Sequence, residues 1–201
     1  MPAVPSLILA SGSPRRSDLL HEAGYRFHVV KPDVVEIEDP AIPIRELTAL
    51  NARLKAAAVA PAHPGAVTMG ADTLVLLGET VFGKPVDEID AARMLAELNG
   101  QTHQVFTAVS FIFHEGKKET VHSLSIATEV TFKTLSHHEM AAYHAKMDPL
   151  DKAGAYAAQE HGELIIERIT GSMTNVVGLP MDEVATVLEQ HFGIRPGLAV
   201  R

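Results

Sequence analysis

The chain has 201 residues, 46% hydrophobic and 21% charged, with a formal net charge of −8 and no cysteine. This composition fits a globular protein of one large domain or two closely joined lobes. It excludes disulfides, thiolate catalysis and cysteine-bound zinc, and its acidic balance argues against a general nucleic-acid or anionic-membrane binder.

The opening MPAVPSLILA has no basic leader and only a short apolar run, so a secretory signal is not expected. No apolar stretch approaches the roughly 18 residues that a membrane span needs, and the expected location is the cytoplasm. Residues 6–10 read as a short buried strand. Ser13 follows as an N-cap with Pro14 at the first helical position, and Arg15 and Arg16 fall in the first turn. Leu19, Leu20 and Ala23 give that helix its apolar stripe, and Gly24 ends it. YRFHVV (25–30) reads as a second strand, followed by an acidic loop. Residues 43–60 are helical, with Ile44, Leu47, Leu50 and Leu54 on one stripe and Thr48, Asn51 and Lys55 on a polar neighbour.

Residues 66–78, AVTMGADTLVLLG, form an apolar strand interrupted by Asp72, with Gly70 marking a bulge if Asp72 serves only a structural strand break. A loop through GKPVDEID feeds a helix at about 88–98 that Gly100 stops. Two β segments, 103–114 and 119–135, meet at Glu115-Gly116-Lys117 in a predicted hairpin. A helix at 136–146, a glycine-rich stretch, the strand ELIIERIT and a helix through LPMDEVATVLEQHFG complete the chain. Strands alternate with helices early and pair antiparallel later, which predicts an α/β fold with a mixed sheet and flanking helices.

Two arginines in a helix's first turn oppose the positive end of the helix dipole. A serine-rich turn entering that helix offers unpaired backbone N–H groups, so a phosphate arriving there would remove the mismatch. The hydroxyls of Ser11 and Ser13 and the two guanidinium forks suit the same guest. The structural alternative is that Arg15 and Arg16 pair with Asp18 and Glu22 or point to solvent. Asp72, a carboxylate inside an otherwise apolar run, must be paired, hydrogen-bonded or metal-bound. Lys55 and Lys84 add two cations that could spread over a triphosphate. Glu36 and Asp72 supply hard oxygen ligands for Mg²⁺ or Mn²⁺, and this set supports attack of an activated water on a metal-polarised phosphate. The eleven histidines show no metal-ligand spacing and receive no role.

LILASGSPRR, GADTLVLLGETVFGKP and DKAGAYAAQEHGELIIERITGSMTNVVGLP together resemble the Maf family of nucleoside triphosphate pyrophosphatases, over about residues 6–189. The resemblance implies a single domain over 1–201, related in fold to the inosine triphosphate pyrophosphatases, with two lobes around a cleft. It implies hydrolysis of the α–β phosphoanhydride with a divalent cation, with Asp72 as proton acceptor. It also implies that Arg15, Thr73 and Gln159 govern substrate choice, and that Arg16, Glu36, Lys55 and Lys84 complete the polar site. The pattern is similar to that of the subgroup acting on dTTP and UTP. An amide at Gln159 suits a uracil edge because it both donates and accepts. Val35-Glu36 stands where Asp-Glu is frequent in the family, and Glu160-His161 replaces a glycine-rich stretch. The competing expectation is a nucleotide-binding regulator of cell division, since the family has been linked to septum formation. Relatives are often homodimers, and the apolar segment 105–113 fits either a sheet edge that pairs two copies or an interior strand.

Overall fold

The computed structural model describes residues 4–116 and 118–197. Seven strands form one mixed sheet in the order β2-β1-β3-β5-β6-β7, with β4 paired to β3 off that path. The chain divides into two compact units, one built from residues up to Asp72, 107–125 and from Gly178 onward, the other from 73–106 and 126–177.

In the first unit, β1 (Ser6–Ala10) runs parallel to β2 (Phe27–Val29) on one side and to β3 (Ala66–Leu77) on the other. Parallel neighbours need crossovers, and two helices supply them: α1 (Pro14–Glu22) between β1 and β2, and α2 (Ile44–Val59) between β2 and β3. A parallel strand covered by helices has no wet face, and Leu7, Ile8, Leu9 and Ala10 are accordingly all buried. The second parallel strand is shorter than YRFHVV suggests: Phe27–Val29 pair with β1, and the Val30 amide adds one further bond to the Leu9 carbonyl at 3.0 Å.

The packing of α2 on β3 is unusually close. A methyl group at Gly70 would overlap the Ala52 carbonyl oxygen and lie 2.6 Å from the Ala56 nitrogen, both on the α2 backbone. Gly70 is therefore a contact point and not a bulge: it pairs in register with Ala10. The strand also continues through Asp72 without a break.

In the second unit, β3 turns back into the short β4 (Thr80–Phe82), pairing Val75 with Phe82. The helix α3 (Glu88–Leu98) begins at Asp87, whose carboxylate accepts from the Asp90 amide, and buries Ala91, Met94, Leu95 and Leu98. The long strands β5 (Thr102–Glu115) and β6 (Lys118–Phe132) are neighbours in the sheet; Lys117 of the expected turn lies outside the described residues. Because β5 lies between β3 and β6, segment 105–113 is an interior strand, and the sheet-edge reading of it is corrected. A capping box at Ser136 and Glu139 starts α4 (His137–His144).

ELIIERIT divides between two elements. Its first half closes the single turn α5 (Gly162–Ile165), and only β7 (Ile166–Thr170) pairs with β6. The short α6 (Met173–Val177) and α7 (Met181–Phe192) follow, the latter ended by Gly193 in the left-handed conformation. No helix among the described residues is long and apolar enough to cross a membrane.

The core of the second unit gathers Val75, Phe82, Leu95, Leu98, Phe132, Tyr143 and Tyr156. His103 is enclosed beside it, 2.9 Å from the Tyr156 hydroxyl through Nε2 and edge-on to Phe132 and Tyr156. Its Nδ1 has no partner among the described residues. Burial holds the imidazole neutral, lowering its pKa from 6.5 to about 4.

Two outcomes are expected. In the unfolded chain His103 protonates near pH 6.5, while the folded protein resists protonation until about pH 4. Stability is thus full above 6.5 and falls as the pH drops toward 4. Between pH 7 and pH 5 the wild type should lose about 2 kcal/mol more unfolding free energy than His103→Gln in urea titrations; equal losses would show that burial does not lower the His103 pKa in the folded protein. Gly70→Ala should cost about 1–3 kcal/mol through overpacking, lowering the melting temperature by roughly 2–12 °C.

Candidate active site

The turn Ser11-Gly12-Ser13 leaves the end of β1 and enters α1. Ser13 takes the N-cap position but makes no side-chain cap, and no acidic residue lies in the first turn of α1. Instead Ser11 Oγ accepts the Ser13 amide at 3.1 Å, tightening the turn.

The two arginines behind it differ. Arg16 is buried, 8% exposed, and reaches back toward the sheet: Nε donates to the Gly178 carbonyl at 3.0 Å, and Nη1 donates to the Ala71 carbonyl at 2.9 Å and Ser11 Oγ at 3.3 Å. Through these bonds Arg16 acts as a brace that joins the Ser11 turn to the residue preceding Asp72. Arg15 is half-buried on the preceding position of the helix. One sequence signal, two adjacent cations, therefore covers two different placements.

The register Ala10↔Gly70 carries both strands forward together, so the Ser11 turn and the Ala71-Asp72 segment emerge from the same end of the parallel pair. Asp72 is 4% exposed. Its Oδ1 accepts from Lys55 Nζ at 2.7 Å, and its Oδ2 is buried without a partner among the described residues. The same ammonium lies 2.9 Å from Glu36 Oε2. Lys55, read in the sequence as a cation for a triphosphate, is thus held between two carboxylates, which offsets the cost of burying Asp72 as an anion.

Glu36 is reached through an irregular segment between β2 and α2, and its side chain is half exposed. That segment is anchored one residue further on. The buried amide of Asn51 accepts from the Ile37 N–H at 2.8 Å and donates to the Ile37 carbonyl at 3.0 Å. Asn51 lies one helical turn before Lys55 on α2, so one face of α2 holds the Glu36 side chain and the neighbouring backbone together. The polar face of α2 carries Asn51 four residues before Lys55, and that spacing is the signal in the sequence for its part in the site.

Thr73, Lys84 and Gln159 belong to the second unit. Thr73 is half-buried on β3 directly after Asp72, Lys84 is exposed with Nζ 2.8 Å from Asp151 Oδ1, and Gln159 is exposed. The proline after Lys84 is buried, which fixes the loop from which the lysine projects.

Among the described residues, no group of three or more histidine or carboxylate side chains gathers around one point. A hard divalent cation commonly takes only one or two protein carboxylates and completes its shell with water and substrate phosphates. Asp72 and Glu36 supply two such carboxylates; Lys55 Nζ stands between them, and Asp72 Oδ2 is the oxygen left uncommitted for a cation.

Residues 6–191 match the family model described as Maf-like protein. The chain is 44% identical over 185 residues to a protein of Akkermansia muciniphila named dTTP/UTP pyrophosphatase, covering 92% of this chain and 96% of that protein. Proteins with the same name from Vibrio cholerae (44% identical; 93% and 98% covered) and Deinococcus radiodurans (42%; 94% and 95%) are similar to it. Among solved structures, the Ham1 protein of Staphylococcus aureus aligns with a TM-score of 0.39 and 16% identity, over 79% of this chain and 90% of that one. With a single family model spanning the strand-to-turn entry, the Asp72 strand and the Gln159 segment alike, the chain belongs to the Maf family.

Proposed function

We propose that this protein is a nucleoside triphosphate pyrophosphatase that converts dTTP and UTP to the monophosphate and pyrophosphate. The observation that carries this reading is the buried Asp72, fixed through one oxygen by Lys55 and uncommitted at the other, beside a serine turn at a helix N-terminus. The shared name of relatives 42–44% identical along nearly the whole chain supports the substrate class.

In this reading the triphosphate lies along the Ser11–Ser13 turn, where the first N–H groups of α1 and the hydroxyls accept its charge. Arg15 and Lys84 add cationic contacts, and Arg16 keeps the turn in place from behind. Asp72 Oδ2 takes a proton from water as its oxygen attacks the α-phosphorus; the α–β anhydride bond breaks and its electron pair leaves with pyrophosphate. Lys55 holds Asp72 Oδ1, so the carboxylate cannot rotate away from that water. Glu36 and Asp72 would hold a divalent cation, which supplies neutralisation of phosphate charge when bound. Gln159 reads the base by donating to and accepting from one pyrimidine edge, and Thr73 borders the same substrate.

The test is pyrophosphate release from a panel of nucleoside triphosphates, with Mg²⁺ or Mn²⁺ and with a chelator. Release from dTTP and UTP that the chelator abolishes is the expected result. Nucleotide binding without pyrophosphate would instead favour a regulator. Asp72→Asn should lower kcat by about 10²–10⁴-fold, the usual contribution of general-base help, while leaving nucleotide affinity nearly unchanged; a wild-type kcat in that variant would remove Asp72 from the reaction.

A further inference from the structure

Three consecutive residues ahead of Gln159 are each held by a different polar side chain. His144 Nε2 donates to the Ala155 carbonyl at 3.0 Å, His103 Nε2 lies 2.9 Å from the Tyr156 hydroxyl, and the Tyr143 hydroxyl takes both polar groups of Ala157. It accepts from the Ala157 N–H at 2.9 Å and donates to the Ala157 carbonyl at 3.1 Å. Tyr143 is 1% exposed and Ala157 is buried, so neither backbone group has water as a substitute.

The segment being held is irregular and strained. Gly154 and Ala155 have φ of 70° and 59°, and His161 has φ 58°. A left-handed alanine or histidine is costly without glycine's freedom and persists only where surrounding contacts over-determine it. Two residues beyond Ala157 the chain reaches the surface at Gln159. An anchored, strained stretch that ends in one exposed amide is built to present that amide at a fixed place.

We infer that Tyr143 is a specificity-positioning residue: by clamping both backbone polar groups of Ala157 it sets where the Gln159 amide meets the nucleobase. The inference rests on the reading of Gln159 as the base-recognition residue. Tyr143 does not touch the substrate; it acts through two residues of chain. Burial pushes its hydroxyl up to about 12, so it remains a neutral donor and acceptor throughout the working pH range.

The experiment is a double-mutant cycle of Tyr143→Phe and Gln159→Ala, reading the ratio of kcat/KM for dTTP over GTP. Tyr143→Phe keeps the ring and removes only the clamp. It should lower the ratio by about 3- to 10-fold, the scale of one neutral hydrogen bond, chiefly through a raised KM for dTTP. In the Gln159→Ala background the same change should leave the ratio where it is. General destabilisation would reduce the active fraction equally for both substrates and so would not move the ratio. If Gln159→Ala leaves the wild-type ratio intact, the base-recognition reading is wrong. If Gln159→Ala lowers it and Tyr143→Phe does not, or if Tyr143→Phe lowers it equally with and without Gln159, the positioning role is overturned. Should Tyr143→Phe not fold, a single glycine inserted after Ala157 keeps the clamp and displaces Gln159; an unchanged ratio there would overturn the inference as well.

Discussion

The contact on which the candidate site depends involves no charged group. Gly70 lets the backbone of α2 rest against β3 at a distance that no other residue permits, with Ala52 and Ala56 on the helix side. Lys55 precedes Ala56 on that helix and Asp72 follows Gly70 by two on that strand, so the 2.7 Å ion pair is a direct consequence of the close approach. Two residues along a strand return to the same face, which is why Gly70 and Asp72 meet the same helix. The small residues at 52, 56 and 70 and the charged pair at 55 and 72 form one packing unit. The small residues bring the two backbones together, and the charged residues use the proximity.

Buried charge in this unit is handled in one consistent way. Arg16, Lys55 and Asp72 are all enclosed, and each is answered by a specific partner. A buried ion pair contributes little net stability against apolar residues of the same volume, because desolvation offsets its Coulomb gain. What the buried charges supply here is position. Arg16 ties the Ser11 turn to Ala71, and Lys55 fixes one oxygen of Asp72, so turn and carboxylate are held relative to each other by two independent links. The positive end of α1 is left without an acidic residue, and this is the feature on which the proposed phosphate contact draws.

Much of this was legible in the sequence, because the signals were local. The strand 6–10, the Ser-Pro helix entry, the helices read at 43–60 and about 88–98 and the anomaly of Asp72 follow from periodicity, capping and the cost of an apolar carboxylate. The misreadings share a cause: they depended on partners distant in the chain. Gly70 carries the same local mark as a bulge and a close contact, and only α2 distinguishes them. ELIIERIT is apolar enough for a full strand, but β6 offers pairing only from Ile166. The two arginines are indistinguishable until carbonyls at 71 and 178 claim one of them. The segment 105–113 fits an edge or an interior strand equally until β3 and β6 flank it.

The two irregular segments that carry Glu36 and Gln159 have the same solution in different units. Asn51 takes both polar groups of Ile37, one residue after Glu36; Tyr143 takes both polar groups of Ala157, two residues before Gln159. Outside helices and strands a buried backbone N–H and C=O have no automatic partner, so a loop near a core must find one or stay in water. A single side chain that is both donor and acceptor settles both groups at once, as the Asn51 amide and the Tyr143 hydroxyl do. Because each clamp sits on a helix that is itself packed, α2 or α4, the loop inherits the rigidity of the core while Glu36 and Gln159 nearby stay exposed. Ordering entropy is then spent during folding and not when a ligand arrives, which lowers the cost of binding at a preorganised loop.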